Sequence, residues 1–358
     1  MCRRIAEVRS LLKRLKLLVL SAMTRSGLSA LLLNSRWRSN RLLILGYHGF
    51  SQDDEHLWNS SLYMPAAVFR SRLSHLRDNG CNVLSLADAL RRLYSGTLPE
   101  RSVVLTIDDG TYDAYRLAFP IIQHFGYPAT VYLTTYYCDF QRPVFDVMAS
   151  YLLWKARGRT TTLPGICPHP IFLDDKGRDS ANRLIKLFAQ KHGLSGREKD
   201  ILLTQVAARL ELDYEALCRK RMLYIMTHEE ARELAQAGFD IQLHTHRHRL
   251  SRRRNRMLQE VVENERRITA LRESPARHFC YPGGVYLPEF ELALAECGIE
   301  SAVTCWPGFA TGRTGPLRLP RLLDSIRFER LEFAGWVSGE ASLLPRRKFI
   351  AGEGQMVE

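Results

Sequence analysis

The chain has 358 residues, with 51 Lys plus Arg against 38 Asp plus Glu, a formal charge of +13, and 46% hydrophobic residues. At about 150 residues per domain this is two units or one large α/β domain with an insertion, and the apolar fraction excludes a wholly disordered chain. No repeat is visible, and no uncharged apolar run approaches the roughly 18–20 residues that span a bilayer. The eight cysteines form no C-x-x-C pair and are irregularly spaced, which points to free thiols in a reducing compartment.

Residues 1–40 carry nine basic side chains (Arg3, Arg4, Arg9, Lys13, Arg14, Lys16, Arg25, Arg36, Arg38) and one acid, Glu7. Ile5, Val8, Leu11, Leu12, Leu15, Leu18, Val19 and Ala22 recur at helical spacing, which predicts a basic amphipathic helix. Such a helix suits an anionic membrane surface. It suits equally a helix packed on the main domain with its cations in water. A secretory signal ranks last, because the basic stretch is long and the apolar core short. The expectation is a cytoplasmic protein with peripheral membrane contact through residues 1–36.

Short β-rich runs follow at Leu42–Leu45, Val83–Leu86, Val103–Ile107, Thr130–Leu133, Phe239–Leu243, Phe279–Tyr281 and Ala302–Thr304. Between them lie helix candidates near 65–78, 87–94, 113–125, 227–237, 252–272 and 287–297. Thr227 with Glu230 reads as a capping box, and Gly80, Gly126, Gly238 and Gly298 as helix C-terminal stops. Alternating strand and helix predicts an α/β fold, a parallel sheet of about seven strands with helices outside, closed into a barrel rather than left open. The segment 140–225 interrupts this alternation with a helix over Val144–Lys155, a loop holding Pro164, Pro168 and Pro170, and helices near 179–192 and 197–210. It reads as a helical insertion in one loop. The organisation expected is a basic segment 1–40, a main domain 41–335 and a tail 336–358.

Three clusters carry chemistry. In Leu105-Thr106-Ile107-Asp108-Asp109-Gly110 a buried strand ends in two carboxylates. Adjacent strand residues point to opposite faces, so both acids meet at one site only if the chain leaves the strand there, and Gly110 permits that turn. Neighbouring like charges call for a cation. The bland alternative is a turn with solvated acids. In His244-Thr245-His246-Arg247-His248 three of the eleven histidines stand within five residues of a strand end. His244 and His248 share one side if the chain turns helically after the strand, and neutral imidazole is a common zinc ligand. A solvated basic turn is the alternative, given Arg247, Arg249 and Arg252–Arg254. In Phe279-Cys280-Tyr281-Pro282-Gly283-Gly284 glycines let a backbone N–H approach a bound oxygen, as in an oxyanion hole, or make an ordinary turn. One Asp and two His make three ligands with open positions, the pattern of a catalytic metal site, and the remaining Asp can act as general base.

These three blocks, in this order, resemble the polysaccharide deacetylases, the NodB-homology or carbohydrate esterase family 4. Thr106-Ile107-Asp108-Asp109-Gly110 is similar to that family's T-F-D-D-G block, His244 to His248 to its H-[ST]-x-x-H block, and Phe279 to Gly284 to its F-A-Y-P-[YF]-G block. Tyr47-His48 and Leu319-Pro320-Arg321 extend the likeness over roughly residues 42–325. The resemblance implies a distorted (β/α) barrel and metal-dependent removal of an acetyl group from a sugar. Asp109, His244 and His248 would hold a divalent metal, zinc first among them, Asp108 would be the base toward the attacking water, and the Gly283 N–H would hold the oxyanion. Two departures stand out. Cys280 occupies the place where many relatives carry an arginine paired with the catalytic aspartate, and no histidine follows His278, so the family's late general-acid histidine is missing. His48 and His246 are the candidates left for that acid.

The expected function is therefore a metal-dependent carbohydrate deacetylase acting on an acetylated glycan. The alternative is a non-catalytic glycan- or membrane-binding relative that keeps the barrel and lacks the acid. No nucleic-acid partner is expected, since only the net charge and the run Arg247–Arg256 suggest one.

Overall fold

A computed structural model describes residues 2–344 and 356–357, with side chains from Leu12 to Leu344. Two runs that are apolar on both faces set its centre. Leu43–Tyr47 (β1) and Ser102–Ile107 (β2) are buried at every position, as parallel strands covered on both sides must be. They pair in register from Leu43 opposite Val103 to Tyr47 opposite Ile107. Thr130–Leu133 (β3), Asp240–Leu243 (β4), His278–Cys280 (β5), Ser301–Val303 (β6) and Leu322–Leu323 (β7) complete the path. Its order is β6-β5-β4-β3-β2-β1-β7, parallel throughout, so each strand but the last lies beside its predecessor. These seven strands curl into a half-barrel with helices packed around it. The segment before β7 spans the remaining gap: Val303 bridges Leu319, and the Arg321 N–H donates to the Trp306 carbonyl at 2.8 Å.

The expected strands stand where the β-rich runs put them, with one shortening. Of the Val83–Leu86 run only Val83 is strand, in the two-residue strand Asn82–Val83 that pairs on β2, because Ser85 caps a helix starting at Leu86 by accepting the Asp88 N–H. Thr227 and Glu230 form the expected reciprocal capping box. The helix foreseen over 113–125 opens as a π-turn, Ala114–Ala118, and becomes α-helical only at Phe119–Phe125. Pro120 sits at that junction and has no N–H to offer the ladder.

Residues 145–223 gather around a core of their own, with Met148, Leu152, Leu203, Val206 and Met222 fully or nearly buried. Helices Phe145–Lys155, Asp175–Lys191 and Gly196–Arg209 occur near the expected positions. The proline-bearing loop is instead an antiparallel hairpin, Thr160–Leu163 with Cys167–Phe172. Pro164 lies in the turn between its strands, and Pro168 and Pro170 fall on the exposed strand Cys167–Phe172, the kind of edge position that tolerates a missing N–H. The insertion's exit is stitched to the turn after β2: Met226 N–H donates to Gly110 O at 3.0 Å, Tyr112 N–H to Tyr224 O at 2.9 Å, and Thr111 bridges Ile225.

At the N-terminus a long helix, Cys2–Arg25 (α1), leads into a short one, Leu28–Leu33 (α2). Later come Arg254–Arg272 (α3) and Arg330–Ser338 (α4). Leu20 of α1 is fully buried against α4, where a Cβ added at Gly335 would lie 2.8 Å from its Cδ2. Lys13 and Lys16 reach Glu329 and Glu332 at 3.1 and 3.2 Å. Burial of Trp336, Val337 and Ala341 carries the packed body past residue 335, where a tail was expected to begin. The rest of that segment lies outside the described residues, apart from Met356–Val357, as do the side chains of Ile5, Val8 and Leu11.

Candidate active site

The site is built where β1, β2, β4 and β5 end. After Ile107 the chain turns out of β2 through two left-handed residues, Asp109 (φ 67°) and Gly110 (φ 73°). Only the second is a glycine, so Asp109 holds a conformation that a non-glycine side chain seldom adopts. The turn brings both carboxylates to one place, as the sequence required. Oδ1 of Asp109 lies 3.2 Å from Nε2 of His244 and 3.2 Å from Nε2 of His248. The three ligand atoms stand within 4.8 Å of one another, a carboxylate and two imidazoles around a common point. This donor set fits a borderline divalent cation of the zinc type.

The two histidines do not meet through a helical turn. Residues 244–249 form a loop in which Thr245 (φ 61°) and His248 (φ 56°) are left-handed. Thr245 Oγ1 accepts the Arg249 N–H at 3.0 Å, and Glu260 of α3 takes both the Arg247 N–H and its guanidinium. Asn264, also on α3 and fully buried, accepts the His244 N–H at 2.9 Å and donates to Leu133 O and Thr135 Oγ1. His244 is oriented from its far side by the Cys280 carbonyl, 2.8 Å from Nδ1. A carbonyl can only accept, so Nδ1 carries a proton and Nε2 is the nitrogen turned toward Asp109, where it donates when protonated and can ligate a cation when it is not. This role uses the backbone of residue 280 and is indifferent to its side chain.

Asp108 is 1% exposed, whereas the Asp109 and His248 side chains are each about a quarter exposed. The cluster therefore opens outward through Asp109 and His248 while Asp108 is held from behind. Arg321 grips both oxygens of Asp108 at 2.6 Å, and His48 Nε2 lies 3.4 Å from Oδ2. Burial alone would raise the pKa of Asp108, but the charges of Arg321 and His48 outweigh it and keep the carboxylate ionised. The same contest at Asp109 is won by His248 and His244, which hold it far below the usual carboxylate range. Burial lowers His248 to about 4, so its imidazole is neutral and ligand-competent near pH 7. Burial also opposes protonation of His244, but the hydrogen bond and charge of Asp109 raise it on balance.

Arg321 is the functional residue that sequence reasoning left without a role. An arginine paired with the catalytic aspartate was looked for at position 280. It arrives instead from the segment before β7, and Cys280 Sγ sits 3.3 Å from its Nη2. The guanidinium also donates to Thr106 Oγ1 at 3.1 Å and is fully buried. Gly46 on β1 leaves room for it, since a Cβ there would lie 3.0 Å from Nε and 2.6 Å from Leu323 Cδ2. The signal was the Leu319-Pro320-Arg321 triplet. Of the two candidate acids, His48 is at the site. His246 is turned away, bonded through Nδ1 to Thr135 Oγ1 at 2.9 Å and set against Tyr136. Gly283 (φ 60°) lies in the turn Pro282–Gly284 that follows β5, at the same end of the barrel.

Asp113, just beyond the catalytic turn, is a second buried acid. It accepts the Phe50 N–H at 2.8 Å and the Thr111 hydroxyl at 2.7 Å, yet burial pushes its pKa up to about 7, with Glu55 and Asp109 adding repulsion. The folded chain thus keeps a proton that the unfolded chain releases above about pH 4. This contribution to stability is complete below that value and is lost as pH rises to about 7. Asp113→Asn should flatten the fall in stability between about pH 5 and 8, measured by denaturant unfolding at both. An unchanged slope would mean that Asp113 is ionised in the fold.

Residues 213–302 match the family described as Polysaccharide deacetylase. A poly-beta-1,6-N-acetyl-D-glucosamine N-deacetylase of Escherichia coli K12 is 33% identical over 102 residues, which span 28% of this chain but only 15% of that protein. Among solved structures, the deacetylase PplD of Streptococcus pyogenes, in complex with acetate, superposes with a TM-score of 0.53 at 18% identity, over 80% of this chain and 92% of that one. IcaB from Ammonifex degensii gives 0.51 at 16% identity, over 85% and 98%. At these identities the two structures speak for the fold. The family match over residues 213–302 and the related stretch, set on that common barrel, make the chain similar to the polysaccharide deacetylases in fold and in sequence over that part.

Proposed function

We propose that the protein hydrolyses the acetamide of N-acetylated sugar units in a polysaccharide, releasing acetate and a free amine. A polymer of N-acetylglucosamine is the first substrate to test, on the likeness to the Escherichia coli enzyme. The observation that carries the proposal is the convergence of Asp109, His244 and His248 beside an ionised, buried Asp108.

Asp109, His244 and His248 would hold a divalent cation, zinc by the donor set, which when bound supplies Lewis acidity toward water and the acetyl oxygen. Asp108 takes the proton of the water that attacks the acetyl carbonyl carbon. Arg321 and His48 keep that carboxylate charged until the proton arrives. The Gly283 N–H donates to the oxygen that gains negative charge in the tetrahedral intermediate. His48, 3.4 Å from Asp108, hands a proton to the departing nitrogen as the C–N bond breaks. The ionised base, the neutral His248 and the placement of His48 favour this over a binding-only role. The seven cysteines among the described residues are free, which supports a reducing, cytoplasmic setting.

The test is acetate release from a panel of acetylated oligosaccharides, with and without a chelator, alongside metal analysis of the purified chain. Release should fall at least about 100-fold in chelator and return with added zinc. Substoichiometric metal in both wild type and His248→Ala, with no acetate from any glycan, would sink the proposal.

A further inference from the structure

The face of α1 that points away from α4 has no partner among the described residues. Leu12, Leu15 and Leu18 are 60%, 56% and 67% exposed, while Leu20 on the opposite side is fully buried. At 100° per residue the three exposed leucines fall within an arc of about 120°. Arg14 and Arg25 flank that arc, both exposed, on its Leu18 side. Leu28 and Leu31 of α2, the next helix in the chain, are also 49% and 69% exposed. Soluble surfaces rarely leave three leucines in one stripe in water, and an exposed apolar stripe of this kind marks an interface.

The charges choose the occupant. Lys13 and Lys16 are committed to Glu329 and Glu332 of the body, but Arg14 and Arg25 form no ion pair among the described residues. No acid lies between Glu7 and Asp53, so nothing on α1 or α2 beyond Glu7 neutralises this face. A second copy docked stripe to stripe would bring these arginines together without a counter-charge. An anionic bilayer offers the complement, hydrocarbon for the leucines and phosphate for the guanidiniums. No described helix is long and apolar enough to cross a membrane, so α1 would lie in the interface plane. We propose that the leucine face of α1 and α2 seats the protein on the surface of an anionic membrane. This is independent of the hydrolase chemistry, and neither claim falls with the other.

The test is co-sedimentation of the full chain with vesicles of phosphatidylcholine alone or with about 30% phosphatidylglycerol. The protein should pellet with the anionic vesicles and be released by about 0.5 M salt. Leu12→Gln/Leu15→Gln/Leu18→Gln should abolish pelleting while its melting temperature stays that of the wild type, because the three side chains are exposed. Arg14→Gln/Arg25→Gln, which leaves the leucines in place, should weaken binding roughly 25-fold, about fivefold per arginine. Equal binding to neutral vesicles, or undiminished binding by the leucine variant, would overturn the proposal. So would a wild-type dimer in ultracentrifugation that the leucine variant loses, in a chain that ignores vesicles.

Discussion

Asp108→Asn should lower acetate release from an acetylated oligosaccharide by about two to four orders of magnitude, the range for loss of a general base. Asn fills the same volume and can still accept one hydrogen bond from Arg321, but it cannot take a proton from water. The three metal-ligand candidates are untouched, so bound metal per chain stays at the wild-type level. That separates loss of the base from loss of the site. Some stability is lost as well, because Arg321 is left buried without a full counter-charge, and circular dichroism must show that the variant is folded. Turnover within tenfold of wild type in a folded, metal-loaded Asp108→Asn would remove Asp108 from the reaction.

Arg321→Met should destabilise the chain by about 3–5 kcal/mol, the usual result of breaking one side of a buried ion pair. The guanidinium is fully buried and holds both oxygens of a carboxylate that is itself 1% exposed. Without it, burial should raise the pKa of Asp108, so the carboxylate would be protonated at a higher pH than in the wild type. The double variant Asp108→Asn/Arg321→Met removes both charges and should recover at least about 1.5 kcal/mol relative to the sum of the single losses. Denaturant unfolding of the four proteins gives the cycle. Strict additivity would mean that the pair is not coupled in solution. Arg321→Lys should fall between, since an ammonium cannot span two oxygens.

The strands and helices were legible because each carries a local signature: Val103 to Ile107 is apolar without interruption, Thr227 and Glu230 cap each other, and glycines close the helices. The candidate ligands were legible for the same reason, since Asp109 and the His244–His248 pair each follow a strand. Three things were not. The loop shape around His248 depends on Asn264 and Glu260, which lie on a helix more than ten residues away and leave no local trace. The hairpin at 160–172 is hidden by prolines that are harmless only in its turn and on its exposed strand. Arg321 is 213 positions from its partner, and nothing in a single sequence ties a lone arginine to a distant carboxylate. The vacancy left at Cys280 announced that such a group was needed, but not where it would come from.

The segment that seals the half-barrel is also the one that delivers Arg321 to Asp108. In chain order it is the last segment to join the sheet. Asp109, His244 and His248 all precede residues 319–323, which lie beside β1 and β6 and bring the guanidinium that neutralises Asp108.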